Sequence, residues 1–538
     1  MTEKIIEGEE FRKGVKTGIN KLANTVKDTL GPMGRTVVIK NAFGEHIITK
    51  DGVTVAEEIF LPTDTIESIG SNMVKEVALK ANSLAGDGTT TATVLSQAIY
   101  NEGSKQLSLG ILANDFKVGI KSASIDVLRE IRKTKIDVTT ESPELKSVAL
   151  ISSNGDEDIA KTVTKVYKEL GKNAVVSVKQ GNGIETEVNI VKGMQFDSGY
   201  MSPYCVTDRV KMKADFENAF VFLYDGKLKL FKRLVAAVEF AGQNNRPLIV
   251  VAENVDETAL RGLAENHLRG NVRSAIVMSP GHGKKRVSRL EDMAILFGGK
   301  VLDKNTDTLE NFNPAWLGEV DRVEITSRDT AFIGGHGDQT EIDERANFME
   351  SQLEHFKGNK YETDKLNERL GKLTGGVAVI KVGALSREEA KEILDRVEDC
   401  KHAVKAALEE GIIEGGGMAF YNAATLLENN EFKADIPEGV LAGYKALLNA
   451  IKEPFRQILR NASIIPDVIE AELKRLPLGS GYDVKKGEFV ATMIDGGIID
   501  PFKVDRIALE SSVSIVSTLL TSNYAVINKD DTTTTTFR

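Results

Sequence analysis

Apolar residues fall three or four positions apart at Phe11, Val15, Ile19, Leu22 and Val26, which predicts a helix over about 9–30, stopped by Gly31 and Pro32. Val37, Val38 and Ile39, the turn NAFGE, and Ile47, Ile48 and Thr49 predict a hairpin. Long helices are predicted over about 66–85 and again after the glycines at 86–88. The pattern then changes. From about 174 to 380, short β-rich runs (AVVSV, AFVFLY, RPLIVVAE) alternate with helical runs such as LFKRLVAAVEFA, which predicts an α/β core. After GGVAVIKVGA long helices return, EEAKEILDRVEDCKHAVKAALEEG being the clearest. Helical ends around an α/β middle predict a nested arrangement, with the middle inserted into a unit made from both ends. No repeat of solenoid length is present. The low-complexity tail DDTTTTTFR is expected to be disordered.

A chain of 538 residues predicts three or four domains. Its 41% hydrophobic and 28% charged residues are those of a chain that buries real cores. Lys plus Arg is 69 against 79 Asp plus Glu, and this acidic balance of −10 argues against a general nucleic-acid binder. Cys205 and Cys400 are too few for a disulfide scaffold and favour a reducing compartment. The scattered charges of MTEKIIEGEEFRKGV do not form a signal peptide, and no run of eighteen apolar residues occurs, so a cytosolic protein is expected. The six histidines lack metal-ligand spacing, and no zinc site is expected.

The segment ANSLAGDGTTTATVLSQAIY carries the most chemistry. Gly86 and Gly88 flank Asp87, and three threonines open a helix. Free N–H groups at a helix start suit phosphate oxygens, glycines admit close approach, and a carboxylate suits Mg²⁺. This is not the common P-loop, and by spacing alone it also reads as a glycine turn with a threonine N-cap. Two further glycine loops, TLGPMGRT (followed by KDGVTVAEEI around Asp51) and EEGIIEGGGMAF, stand in the helical ends.

AGDGTTTATVL, TLGPMGR, KDGVTVAEEI, GMQFDSGYMSPY, KLTGGVAVIKVGA, RVEDCKHAVKAALEEGI and GGIIDPFKV resemble the signature stretches of the group I chaperonins, the bacterial and organellar Hsp60 (GroEL-like) family, in register from about 5 to 525. The source (bacterial, organellar or viral) is not legible. The resemblance implies a multidomain α+β fold. It comprises a mainly helical equatorial domain (1–134 and 410–538), a hinge-like intermediate domain (135–191 and 378–409) and an α/β apical domain (192–377). It implies an ATP hydrolase that uses Mg²⁺ and K⁺, assembles into seven-subunit rings, captures non-native polypeptides and encloses them for folding. A co-chaperonin lid is implied for relatives and is left open here.

Carried over residue by residue, the resemblance places Thr29, Leu30, Gly31 and Pro32 along the nucleotide, Asp87 on Mg²⁺, and Gly88, Thr89, Thr90 and Thr91 around the phosphates. Ser152 would come near the nucleotide, Gly416 and Asp500 would meet the ribose, and Asp483 and Val484, departing from the usual Asn and Ala, the adenine. Thr29, Lys50 and Thr90 are the implied K⁺ ligands. Asp399 is the implied base that orients water, with Asp51 assisting; read from its own surroundings, Asp399 is also one charge on a charged helix. The implied substrate groove comprises Tyr200, Ser202, Tyr204, Cys205, Val235, Val238, Leu260 and Ala264, whereas periodicity alone reads Phe231, Leu234, Val235 and Val238 as a core-facing stripe. Cys205 and Ala264 replace larger apolar residues of the family.

Other departures concern assembly. In the family's double rings an Arg pairs with a Glu of the facing subunit; Arg456 is present, but the Glu position reads Ile465, and Leu109 stands at the other contact. The positions of an Arg–Glu link between neighbours in a ring read Ser198 and Arg387, and Asp530, Asp531, five threonines, Phe537 and Arg538 replace a Gly-Met-rich tail. A weak contact between rings, with single rings populated, is expected. A passive holdase ring and a small-molecule kinase are the competing functions. The presence of Asp51, Asp87 and Asp399 favours the ATP-driven chamber over the first, and no acceptor pocket is evident for the second.

Overall fold

The computed structural model describes residues 3–40, 46–59, 65–172, 174–181, 183–209, 212–303, 312–355, 360–429 and 436–528. The NAFGE turn, the tail from Asp530 to Arg538 and the side chain of Arg387 lie outside the described residues. The chain forms two compact units, one from 1–172 with 386–538, the other a single insertion over 173–385. The segments expected to form a hinge, 135–191 and 378–409, are each cut by these borders.

The first unit opens with β1 (Glu3–Glu7), α1 (Gly8–Val26), the hairpin β2 (Val37–Lys40) and β3 (His46–Thr49), α2 (Gly52–Glu58), α3 (Ile66–Ala85), α4 (Thr89–Ser108), α5 (Ala113–Thr134), α6 (Glu144–Ser152) and α7 (Glu157–Leu170). The predicted stripe of α1 is its buried face: Phe11, Val15, Ile19, Leu22 and Val26 are all within 2% of full burial. Each such side chain contributes about 1.5–3 kcal/mol of burial. The helix itself ends at Val26 and tightens into one 3₁₀ turn, Lys27–Thr29, before Gly31.

The second unit contains β4 (Val175–Gln180), β5 (Glu187–Val191), β6 (Gly193–Phe196), β7 (Ala214–Leu228), α8 (Val235–Gln243), β8 (Leu248–Val255), α9 (Glu257–Leu268), β9 (Ser274–Met278), α10 (Lys284–Phe297), β10 (Val301–Asp303), β11 (Gly318–Ile325), β12 (Thr330–Gly335), α11 (Gln339–His355), α12 (Lys360–Thr374) and β13 (Val377–Val382). Among the described residues its main sheet runs β6-β12-β11-β7-β8-β9, with β10 also parallel to β7, and a smaller sheet runs β4-β13-β5. Alternation along β7 feeds two cores: Phe216, Val221 and Leu223 face one, Phe220, Phe222 and Tyr224 the other. The parallel strands β7, β8 and β9 are covered on both faces, which is why AFVFLY and RPLIVVAE read as nearly continuous apolar runs.

The chain then returns to the first unit as α13 (Arg387–Glu410), β14 (Ile412–Glu414), α14 (Met418–Glu428), α15 (Glu438–Ala450), α16 (Glu453–Asn461), α17 (Pro466–Leu473), β15 (Gly481–Asp483), β16 (Glu488–Val490), β17 (Ile499–Pro501), α18 (Phe502–Thr521) and β18 (Tyr524–Asn528). The two ends are tied by antiparallel pairing of β1 with β18, from Glu3 opposite Asn528 to Glu7 opposite Tyr524. Among the described residues no helix is long and apolar enough to cross a membrane.

Candidate functional site

Four loops of the first unit are built to approach something closely. In the first, Gly31 has φ +80°, and a Cβ on Gly34 would lie 2.1 Å from the Thr29 carbonyl oxygen. The Asn461 side-chain amide donates to the carbonyls of Lys27 (2.9 Å) and Leu30 (2.8 Å), pinning the loop to the end of α16. Thr29 is buried, its hydroxyl donating to the Val26 carbonyl; Leu30 and Gly31 are half-buried and Pro32 is exposed.

In the second loop Asp51 caps α2: Oδ1 accepts from the Val53 N–H (3.1 Å), and Oδ2 from the Thr54 N–H (2.8 Å) and hydroxyl (2.7 Å). The next residue must be small, because a Cβ on Gly52 would meet Thr90 Oγ1 at 2.1 Å. Lys50 is half-buried, and desolvation followed by the nearby Lys485 charge pushes its pKa down.

The third loop joins α3 to α4. Gly86, in the left-handed conformation at φ +76°, ends α3, and Gly88 at φ +88° is the N-cap of α4. The alternative of a threonine N-cap is therefore corrected: the cap is a glycine, and Thr89, Thr90 and Thr91 form the first helical turn. Among the described residues no N-cap side chain bonds the first turn of α4, which leaves that helix start open to a ligand. Thr89 Oγ1 is buried with no hydrogen-bond partner among the described residues. Asp87 Oδ1 accepts from the Gly88 N–H at 2.5 Å.

The fourth loop follows from the pairing of β14 with β17, which sets Ile413 opposite Asp500. The chain leaves β14 through Gly415, Gly416 (φ +66°) and Gly417 (φ +77°), and the Gly416 N–H donates to Asp500 Oδ2 at 2.9 Å. Asp500 is pushed up to about 6 by burial and the Asp87 charge, against the opposing Gly416 hydrogen bond. Asp399 on α13 joins this group: burial first, then the charges of Asp87, Asp51, Asp395 and Glu398, raise its pKa well above the carboxylate range. Asp87 is raised by burial and the Asp51 charge despite its Gly88 hydrogen bond. Asp51, Asp87, Asp399 and Asp500 thus share one electrostatic neighbourhood at the open start of α4. Carboxylate oxygens, a partnerless hydroxyl and uncapped N–H groups together fit a phosphate chain carrying an oxygen-seeking divalent cation.

Other expected residues are placed less directly. Ser152 ends α6 and is half-buried. Asp483 is 6% exposed, and its Oδ1 accepts from the N–H groups of Lys485 (2.9 Å) and Lys486 (3.2 Å), so this oxygen is committed to the β15–β16 turn. Val484 packs against the core beside Met418 and Phe455.

In the second unit, the residues expected to form the groove differ in exposure. Val238 is 6% exposed within the core of Phe220, Leu248 and Leu263, and Cys205 is 5% exposed, with its thiol pushed up to about 11 by burial. Phe231 and Leu234 precede α8 rather than riding on it, because a 3₁₀ turn occupies Phe231–Arg233. Tyr200 is half-buried, held by a bridge to Val277, and Ser202 Oγ accepts the Tyr204 N–H at 3.4 Å. Tyr204 is exposed, and Val235, Leu260 and Ala264 are half-buried; Leu268, four residues beyond Ala264 on α9, is also exposed.

Three residues escaped the sequence reading. His402 abuts Gly86, Asn461 pins the first loop, and Asp505, on α18, is buried beside Asp500 and Asp87. The available signal for Asp505 was an acid in line with Ala508 and Ser512 on an otherwise apolar helix face.

A model of the TCP-1/cpn60 chaperonin family matches residues 22–530. Two crystal structures of the chaperonin gp146 from the bacteriophage EL 2 (Pseudomonas aeruginosa), in presence of ATP-BeFx, share the fold. Crystal form II gives a TM-score of 0.70 at 22% identity, covering 98% of this chain and 99% of that one. Crystal form I gives 0.64 at 21%, with the same coverage.

Proposed function

Since the chain belongs to the TCP-1/cpn60 chaperonin family and is accordingly an ATP-dependent, ring-forming chaperone, we propose that it hydrolyses ATP at the four-loop site of its first unit. The observation that carries this is the convergence of Asp51, Asp87, Asp399 and Asp500 at the start of α4, beside the Thr89 hydroxyl, which has no hydrogen-bond partner among the described residues.

In this reading Gly88, Thr89, Thr90 and Thr91 hold the phosphates through backbone N–H groups and hydroxyls, and Asp87 supplies the Mg²⁺ ligand. When bound, Mg²⁺ neutralises phosphate charge. Asp399 orients the attacking water and accepts its proton at a carboxylate oxygen; its raised pKa is in the direction of an effective base near neutral pH. Asp51, already ordered as the α2 cap, holds the α2 start against Thr90 and adds charge near Asp399. Asp500 keeps Oδ2 on the Gly416 N–H, leaving its other oxygen for a ribose hydroxyl. Thr29, Lys50 and Thr90 are the proposed K⁺ ligands, supported by the close approach of Gly52 to Thr90 Oγ1.

Non-native chains would be captured on the second unit at the exposed Tyr204 and Leu268 and the half-buried Val235, Leu260 and Ala264. That surface would also receive a lid protein if the cycle uses one. The proposed assembly is a seven-subunit ring in the cytoplasm, or the host's if the source is viral. Refolding a chemically denatured enzyme with ATP, with a non-hydrolysable analogue and without nucleotide tests the proposal. Recovery only with ATP supports it. Equal protection in all three conditions identifies a passive holdase.

A further inference from the structure

Asp505 lies on the face of α18 that meets α4. Ser512 on that face donates to the Ala92 carbonyl at 2.9 Å, and a Cβ on Gly88 would lie 2.8 Å from Val504 Cγ1 and 3.9 Å from Ala508 Cβ. Asp505, one turn before Ala508, is therefore level with the Asp87–Thr89 loop. It is 5% exposed, and its Oδ2 is enclosed with no hydrogen-bond partner among the described residues. The adjacent cations are engaged elsewhere: Lys503 pairs with Glu409 at 2.5 Å, and Arg506 with Glu410 and Glu510. Its electrostatic neighbours are the acids Asp500 and Asp87. A buried acid without a cation of its own is costly, and nothing in the fold of α18 requires one there.

Building on the nucleotide-site reading, we infer that Asp505 is a positioning residue for the divalent cation, a second carboxylate that with Asp87 and the Thr89 hydroxyl draws the ion to the start of α4. Among the described residues no group of three or more His, Cys, Asp or Glu is assembled to hold a metal. The ion would accordingly complete its coordination with water and phosphate oxygens, the habit of Mg²⁺ rather than of a closed protein cage. Asp505 adds negative charge beside that set, and cation binding offsets the repulsion among Asp505, Asp500 and Asp87.

The test is Mn²⁺ titration, followed by electron paramagnetic resonance, of the full-length protein with a non-hydrolysable ATP analogue. Melting in EDTA and in Mg²⁺ is measured in parallel. Asp505→Asn should weaken Mn²⁺ binding by about 10–100-fold, leave analogue binding at saturating Mn²⁺ unchanged, and raise the melting temperature in EDTA while shrinking the gain on adding Mg²⁺. Asp505→Ser, neutral and smaller, should repeat the Mn²⁺ loss and guards against a folding defect peculiar to Asn. Wild-type Mn²⁺ affinity in either folded variant overturns the inference, as does a lower melting temperature in EDTA with Mn²⁺ affinity retained, the mark of a purely structural role. If the wild-type protein itself fails to bind the analogue with Mn²⁺, the nucleotide-site reading falls and takes this inference with it.

Discussion

Gly86 and His402 are in such close apposition that a Cβ on Gly86 would lie 2.3 Å from His402 Cγ. Gly86 ends α3 one residue before Asp87, and His402 lies one turn beyond Asp399 on α13, so this contact seats the helix of the proposed base on the phosphate loop. Gly86→Ala would also force alanine to φ +76°, costing about 1–2 kcal/mol. We predict a drop in ATP turnover of up to about a hundredfold, from misplacing Asp399, with a smaller loss of ATP affinity. Steady-state hydrolysis and nucleotide titration of the variant check this; wild-type turnover would show that the contact does not position Asp399.

Asp500 predicts an unusual pH dependence. Its carboxyl is raised from the ordinary value of 3.8 to about 6. Between those values the folded protein holds a proton that the unfolded chain has released, so this group's contribution to stability falls as pH rises, then levels off above about 6. For nucleotide- and metal-free protein, Asp500→Asn should therefore gain on the wild type by about 1–3 kcal/mol between pH 4 and 6, then run parallel to it. Urea unfolding across that range measures the gap. A constant gap, or one that narrows with rising pH, contradicts the assignment.

The limits of the sequence pattern show at particular residues. The stripe from Phe11 to Val26 was legible because one face of one helix buries it, and the start of α4 at Thr89 because two glycines precede it. The paired burial of β7 was legible as an apolar run, but its two cores are separated only by the pleat. The resemblance assigns Val238 to the groove, whereas its spacing from Leu234 puts it on the stripe that the fold buries. Asn461 was not legible, because it acts on a loop more than 400 residues away in the chain, and Asp505 shows in the sequence only as an acid in line with Ala508 and Ser512 on α18. Likewise, Asp51 announces a cap by preceding Gly-Val-Thr, but its charge reaches Asp399 only through the fold.

The buried position of Val238 separates two variants that resemblance alone would treat alike. Val238→Glu places a carboxylate in the core with Phe220 and Leu248 and should destabilise the second unit by several kcal/mol. Tyr204→Glu, at a side chain 62% exposed, should leave melting unchanged yet impair suppression of aggregation, with basal ATPase intact. Thermal melts and light scattering of a denatured test protein check both. Unimpaired suppression by Tyr204→Glu would move the capture surface elsewhere.

Arg456 bears on assembly. Its Nε donates to Glu470 Oε1 at 2.6 Å and its Nη2 to Oε2 at 3.3 Å, so the guanidinium is engaged within its own chain. Ile465 and Leu109 are 66% and 79% exposed. We predict a weak contact between rings, with single rings populated during the cycle. Negative-stain particle classes with and without ATP decide it, and uniform double rings in every condition would instead make Ile465 and Leu109 an apolar ring contact.

In the proposed mechanism Asp399 performs the chemistry at a site that binds nucleotide without it. Single-turnover ATP hydrolysis by wild-type and Asp399→Ala protein, at matched occupancy set by nucleotide titration, tests it most directly. Asp399→Ala should bind ATP much as the wild type does, because the phosphate loop at Gly88–Thr91 is intact, and should hydrolyse it at least about a hundredfold more slowly. Hydrolysis near the wild-type rate at full occupancy would contradict the account.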